Sequence, residues 1–181
     1  MVKLGPGDVS LDDGEQLLAT SGEAHSGWEQ TVQDVEAMAR DRAADGFETL
    51  MLTSDDTTPK PPDAGQDEEW GLVYIVPSNQ AEELQPFADR ASFEETVVYQ
   101  ATSTGHAFIV TECLDLDKQL ALFVAGTYRM QHAPPLVRAA IEHGKMFTHV
   151  KQLDGTLVRT IEHDDPEQFF PDPEQFYAYE V

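Results

Sequence analysis

The chain has one cysteine, Cys113, so no disulfide framework is possible. Lysine is scarce, at Lys3, Lys60, Lys118, Lys145 and Lys151, and Lys+Arg total 11 against 34 Asp+Glu, a formal charge of −23. Phosphate-backbone binding needs clustered basic residues, so nucleic acid is excluded as a general partner. The longest apolar run, Leu120 to Gly126, falls far short of the roughly 20 residues of a membrane-spanning helix, which excludes a membrane partner of that kind. The opening Met1-Val-Lys-Leu-Gly-Pro-Gly7 has no apolar run of the secretory type, and a cytoplasmic location is expected. The sequence also lacks GxGxxG, GxxxxGK[ST], HExxH, GxSxG and CxxC, so no cofactor, no metal site and no catalytic residue is expected.

What is present is an ordinary core in an acidic skin. The 181 residues are 40% hydrophobic and suit a single domain. An excess of 23 negative charges repels itself in dilute salt, but at 1 M salt the Debye length is about 3 Å and that repulsion is screened. The acid is spread over the whole chain and Lys is rare, which points to a halophilic protein holding hydrated cations on its surface.

Residues 1–25, rich in Gly, Asp and Glu, read as a flexible acidic arm with at most a helical turn around Asp12–Thr20. Ser26-x-x-Glu29 is a capping box, and Trp28, Val32, Val35, Ala39 and Ala43 form a helical stripe ended by Gly46. Phe47–Leu52 predicts a strand. Residues 53–69 contain three prolines, six acids and one lysine, and read as a disordered acidic loop. Gly71–Pro77 is almost wholly apolar and predicts a central strand. A short helix follows from Ser78, interrupted near Pro86.

The alternation on either side of Thr104-Gly105 predicts a hairpin with Ser103 opposite His106, Ala101 opposite Phe108 and Tyr99 opposite Val110. Leu120–Val124 continues the meander, with Leu114 expected opposite Leu120. Pro134 to Gly144 predicts a second amphipathic helix. Residues 145–163 predict a last hairpin over Asp154-Gly155, with His149 opposite Thr160. The fold class is α+β: a mainly antiparallel sheet, meander plus C-terminal hairpin, with two to three helices packed on one face. The first eight elements share their order with roadblock-type regulator domains, a likeness of order alone. A single domain over 26–170 is followed by an aromatic tail, 171–181.

In that tail Asp165-Pro-Glu-Gln-Phe169 recurs as Asp172-Pro-Glu-Gln-Phe176. Phe169, Phe170, Phe176, Tyr177 and Tyr179 either pack back on the same subunit or clasp a neighbour. With the edge strands of a meander sheet, the tail is the ground for expecting a homodimer.

Four blocks carry a resemblance: Trp28-Glu-Gln-Thr-Val-Gln-Asp-Val-Glu-Ala-Met38 with Gly46-Phe-Glu-Thr-Leu50; Leu72-Val-Tyr-Ile-Val-Pro77; Lys145-Met-Phe-Thr-His-Val150; and His163-Asp-Asp-Pro-Glu-Gln-Phe-Phe170. Over roughly residues 26–170 the chain resembles a family of small haloarchaeal proteins of unknown function. The resemblance agrees with the salt argument and implies no activity or site.

The candidate ligand-binding residues are Glu112, Tyr128, Arg129, His132 and His149. In the expected register Glu112 lies on an apolar sheet face and needs a cation, from Arg129 or Arg159. Tyr128, Arg129 and His132 end a strand and lead into a helix, a frequent place for ligand contacts. His149 has Glu162 diagonal to it on the same face. His163 lies on the other face with Met146 and Arg159, so the two imidazoles cannot share a metal. Two functions stay open: a non-catalytic interaction or regulatory module that homodimerises, or a small-molecule-binding protein or enzyme at the Glu112/Tyr128/Arg129 end of the sheet.

Overall fold

The computed structural model describes residues 13–62 and 69–179. The expected arm falls partly on residues 1–12, and part of the expected disordered loop on 63–68; both stretches lie outside the described residues. Helix α1 spans Asp13–Ala44, followed by strands β1 (Glu48–Thr53), β2 (Asp56–Lys60) and β3 (Gly71–Ile75). Helix α2 (Ser78–Arg90) leads to β4 (Glu95–Ser103), β5 (His106–Asp115) and β6 (Leu120–Arg129). Helix α3 (Pro134–His143), β7 (Met146–Lys151), β8 (Leu157–His163) and the short helix α4 (Pro173–Tyr177) complete the chain.

The fold is α+β, but the one antiparallel sheet is replaced by two four-stranded mixed sheets, β1-β6-β5-β4 and β2-β3-β7-β8. Each contains one parallel pair, β1 with β6 and β3 with β7. The helices are not all on one face either. Helix α1 covers the outer face of the first sheet through Val35, Trp28 and Met38, against Val110, Leu114 and Phe123. Helices α2 and α3 contribute Leu84, Phe87, Leu136 and Val137 to the larger core between the two sheets.

α1 begins at Asp13, so Ser26 is interior and caps nothing. Gly27, beside it, is where the helix crosses Phe108: a Cβ there would lie 2.5 Å from the ring's Cζ. Trp28, Val35 and Ala39 of the expected stripe do face the sheet, but its other two positions are displaced by one residue. Thr31, with its hydroxyl on the Gly27 carbonyl, and Arg42 face the sheet, while Ala43 is exposed.

The acidic loop holds a strand that composition hid. β2 pairs antiparallel with β3, Thr57 opposite Tyr74 and Pro59 opposite Leu72. Pro59 is tolerated because β2 is an edge strand, where a missing N–H need not break a ladder. β3 is central, as its apolar run predicted. β2 comes so close to β6 that a Cβ at Gly126 would lie 2.2 Å from the Thr57 hydroxyl.

The β4–β5 register is the predicted one. The β5–β6 register is displaced by one residue, with Leu114 opposite Ala121 and Glu112 opposite Phe123. The tail packs in cis. Phe169, Phe170 and Phe176 are fully buried in this subunit's own core. Gln100 donates to the Phe169 carbonyl, and Arg138 lies over the Tyr177 ring at 4.6 Å. The repeat is a helix start used twice: an Asp precedes a Pro that opens a helical turn, and the Phe four residues after the Asp is buried.

Candidate functional site

Glu112, the first candidate, is a structural group. It is 2% exposed on the α1 side of the first sheet, and Arg42 grips it with two bonds, Nε to Oε2 at 2.8 Å and Nη2 to Oε1 at 3.1 Å. The cation therefore comes from α1, and neither Arg129 nor Arg159 supplies it. Arg159 pairs with Asp89.

His149 also leaves the proposed cluster. It lies in the second sheet, with Nδ1 2.8 Å from the Thr160 hydroxyl and Nε2 2.7 Å from the Trp70 carbonyl. The expected Thr160 pairing is found, but Glu162 is bound to Lys145. Burial lowers the His149 pKa, against the carbonyl contact that raises it. His163 is the more constrained imidazole. Its Nδ1 is 2.9 Å from the Thr96 hydroxyl, its Nε2 2.8 Å from the Thr148 hydroxyl, and its ring leans on Phe169. Burial pushes its pKa down to about 4, so it is neutral at pH 7. Cys113 is fully buried, and burial pushes its thiol up to about 12, which removes the thiolate a nucleophile needs.

The remaining three candidates do meet. Tyr128, Arg129 and His132 line a cleft of about 470 Å³, together with His106, Thr127 and residues 56–59 of β2. Local sequence builds it as follows. β1 pairs with β6 as far as Ala125, and then β2 passes beside the remainder of β6 at Gly126. His106 begins β5 directly opposite Arg129, so the two side chains share a face. Thr127 lies on that same face, two residues before Arg129, and its hydroxyl oxygen is buried with no hydrogen-bond partner.

The rim is a strained turn. Thr104 and Gly105 have φ of 50° and 78°, the two positive values a two-residue hairpin of type I′ demands. Thr104 is β-branched and poorly suited to it. The Thr104 carbonyl lies 3.3 Å from His106 Nδ1. The wall beneath is rigid: the Tyr128 ring stacks on Phe176, and burial raises the Tyr128 pKa, so its hydroxyl stays protonated.

His106, Thr127 and the β2 residues escaped the sequence reading. The expected register already sets His106 opposite Tyr128, and the structure sets it opposite Arg129, but the strand-end argument took only the residues that lead into the helix. The β2 residues carried no strand signal. Among the described residues no three His, Cys, Asp or Glu side chains converge as metal ligands, and no helix is long and apolar enough to cross a membrane. No curated protein and no solved structure matches the chain. A family model does match, over residues 14–171, taking in about half of the expected arm and ending at the start of the tail. The chain belongs to that family, described as a Family of unknown function (DUF7529).

Proposed function

We propose that the protein is a non-catalytic binding module of a salt-rich cell interior, and that the cleft between β2 and the end of β6 holds a small molecule. One observation carries the reading. Arg129 stands exposed at a cleft of ligand size with no carboxylate partner among the described residues, in a chain with 34 acids to 11 bases. Arg42, Arg90 and Arg159 each hold a carboxylate. The groups that could do acid–base or nucleophilic work elsewhere are already held or buried: Glu112 by Arg42, His149 and His163 by hydroxyls and a carbonyl, Cys113 by burial.

The test is a ligand-screen melting assay in molar KCl, repeated with Arg129→Ala. Compounds that raise the melting temperature of the wild type and fail with the variant support the reading. A screen whose hits are all indifferent to Arg129 sinks it.

The salt half of the reading rests on where the acids lie. Exposed carboxylates occur on every layer, for example Glu36 on α1, Glu83 on α2, Glu95 on β4, Glu142 on α3 and Glu167 before α4. Dispersed charge suits screening by bulk salt, and stability is expected to rise steeply from low salt to molar KCl. A melting temperature flat over that range removes the halophilic reading. A homodimer now rests on sheet edges such as β4 and β8, because the tail's phenylalanines are spent in cis. A monomeric mass by light scattering in molar KCl ends that proposal.

A further inference from the structure

We infer that the ligand of this cleft bears an oxyanion, a phosphate, sulfate or carboxylate group, held by the Arg129 guanidinium with His106 and His132 as further donors. The inference rests on the binding reading above and names the chemistry that reading leaves open.

The first argument is charge balance. The chain as a whole carries −23, yet the cleft sets one guanidinium and two imidazoles against a single carboxylate, Asp56. That carboxylate already accepts a bond from the Thr58 hydroxyl at 3.0 Å. One cation to one anion, with two imidazoles able to donate, is a local departure from 34 acids to 11 bases, and it favours an anionic ligand over a cationic one.

The second argument is unmet hydrogen bonding. Arg129 brings five N–H donors and is bonded to no carboxylate among the described residues. The Thr127 hydroxyl oxygen, on the same face of β6, is buried without a partner. Leaving a buried hydroxyl unsatisfied costs stability, so a ligand oxygen that accepted from it would gain what the free protein forgoes. His106 is already oriented: Nδ1 faces the Thr104 carbonyl, and as an imidazolium the ring donates there and to an anion through Nε2.

The third argument concerns salt. In dilute solution the net charge repels any anion from the surface. At molar salt, with a Debye length of about 3 Å, that distant repulsion is screened and only groups in direct contact act. Chloride then competes, and a point charge could not exclude it. A guanidinium can, because its planar fork meets two oxygens of one oxyanion in parallel. Binding should therefore depend on the shape of Arg129 and not on its charge alone.

The experiment uses the full chain in molar KCl, titrated with inorganic phosphate, sulfate and acetate, and followed by the His106 and His132 ring signals in NMR and by melting temperature. The expected result is saturable binding of at least one oxyanion, weakened about tenfold or more by Arg129→Lys and more modestly by Thr127→Val. Exposed Arg40, on α1, serves as the control: Arg40→Gln should leave binding unchanged. If Arg129→Lys binds as tightly as the wild type, the site reads charge alone and the oxyanion inference is overturned. If all three oxyanions are inert while a neutral or cationic compound from the screen moves the same ring signals, the inference falls and the binding reading survives. If no probe moves those signals, both fall.

Discussion

The two ends of the β5–β6 ladder differ: at one the charged groups are held by named partners, at the other an arginine and several hydroxyls have none among the described residues. At the closed end, Glu112 is gripped twice by Arg42. Asp115, at the last rung, accepts from the backbone N–H groups of Ser92 and Lys118, which lower its pKa. At the open end, Arg129 is bonded to no carboxylate among the described residues, and the hydroxyl oxygens of Thr127 and Thr104 are buried without partners among them. Buried polar groups are normally satisfied because leaving them bare costs stability. Thr111 is a lone orphan along the ladder, but Ser103, Thr104, Thr127 and Tyr128 gather at the open end, and that cluster marks the place where something other than stability was at stake. The sequence alone does not separate the ends, since both combine an arginine with hydroxyls and acids.

The largest expected effect sharpens that contrast. Arg42→Ala leaves Glu112 buried and unpaired, which costs about 3–5 kcal/mol. Arg129→Ala removes an exposed side chain and should change stability by no more than about 0.5 kcal/mol. Denaturant unfolding of both variants in molar KCl checks the pair. Equal losses would mean that Arg129 has a structural partner and that the ends are alike. The closed end carries a further asymmetry. Arg42 is 30% exposed and can be solvated where Glu112 cannot, so Glu112→Gln should cost less than Arg42→Ala.

The register of these strands shows what was legible. β4–β5 was read correctly because the tight Thr104-Gly105 turn fixes the pairing. β7–β8 was read correctly at His149 and Thr160, although a bulge at Val150/Lys151 shifts the rungs nearer the turn. β5 and β6 were misaligned by one residue because both faces of each are buried, Ile109 and Val110 alike, and a strand without a polar face carries no period-two signal. β2 was missed because its Thr, Pro and Lys residues resemble a loop, and its strand character comes from β3 alongside it. Two sheets were read as one for the same reason: pattern reports which residues are buried, not which layer buries them. In the site, Tyr128, Arg129 and His132 were legible because they lie within five residues, at the end of β6 and in the turn that follows it. Glu112 and His149 were placed with them on an expected proximity that the second sheet and the Arg42 contact remove.

A buried imidazole tests the contrast at intermediate size. His163 is partnered like the closed end, by Thr96 and Thr148, whereas His106 and His132 line the cleft. Its folded pKa of about 4 lies below the ordinary 6.5, so the unfolded chain takes up the proton first as pH falls. The stability it contributes is therefore complete above pH 6.5 and is lost between 6.5 and about 4. At about 1.4 kcal/mol per pH unit, the loss approaches roughly 3 kcal/mol. Carboxylates titrate in the lower part of this window, so the measurement is the difference in pH slope between wild type and His163→Asn. Superimposable slopes would show that His163 is not held neutral by burial.

The smallest expected effect bears on the open end itself. Thr104 sits at φ 50°, where a β-branched residue is strained, and its hydroxyl oxygen is buried without a partner. Asparagine accepts that backbone conformation far more readily. Thr104→Asn should therefore stabilise the fold by about 0.5–1 kcal/mol, a melting-temperature rise of a few degrees at most. The turn also sets His106, through its contact to the Thr104 carbonyl, so the strain and the cleft are mechanically joined. If the turn is strained because it positions a ligand-binding group, the stabilised variant should bind oxyanions less well than the wild type. If the strain is incidental, Thr104→Asn gains stability and keeps its affinity, and the open end is then explained by Arg129 and Thr127 without the turn.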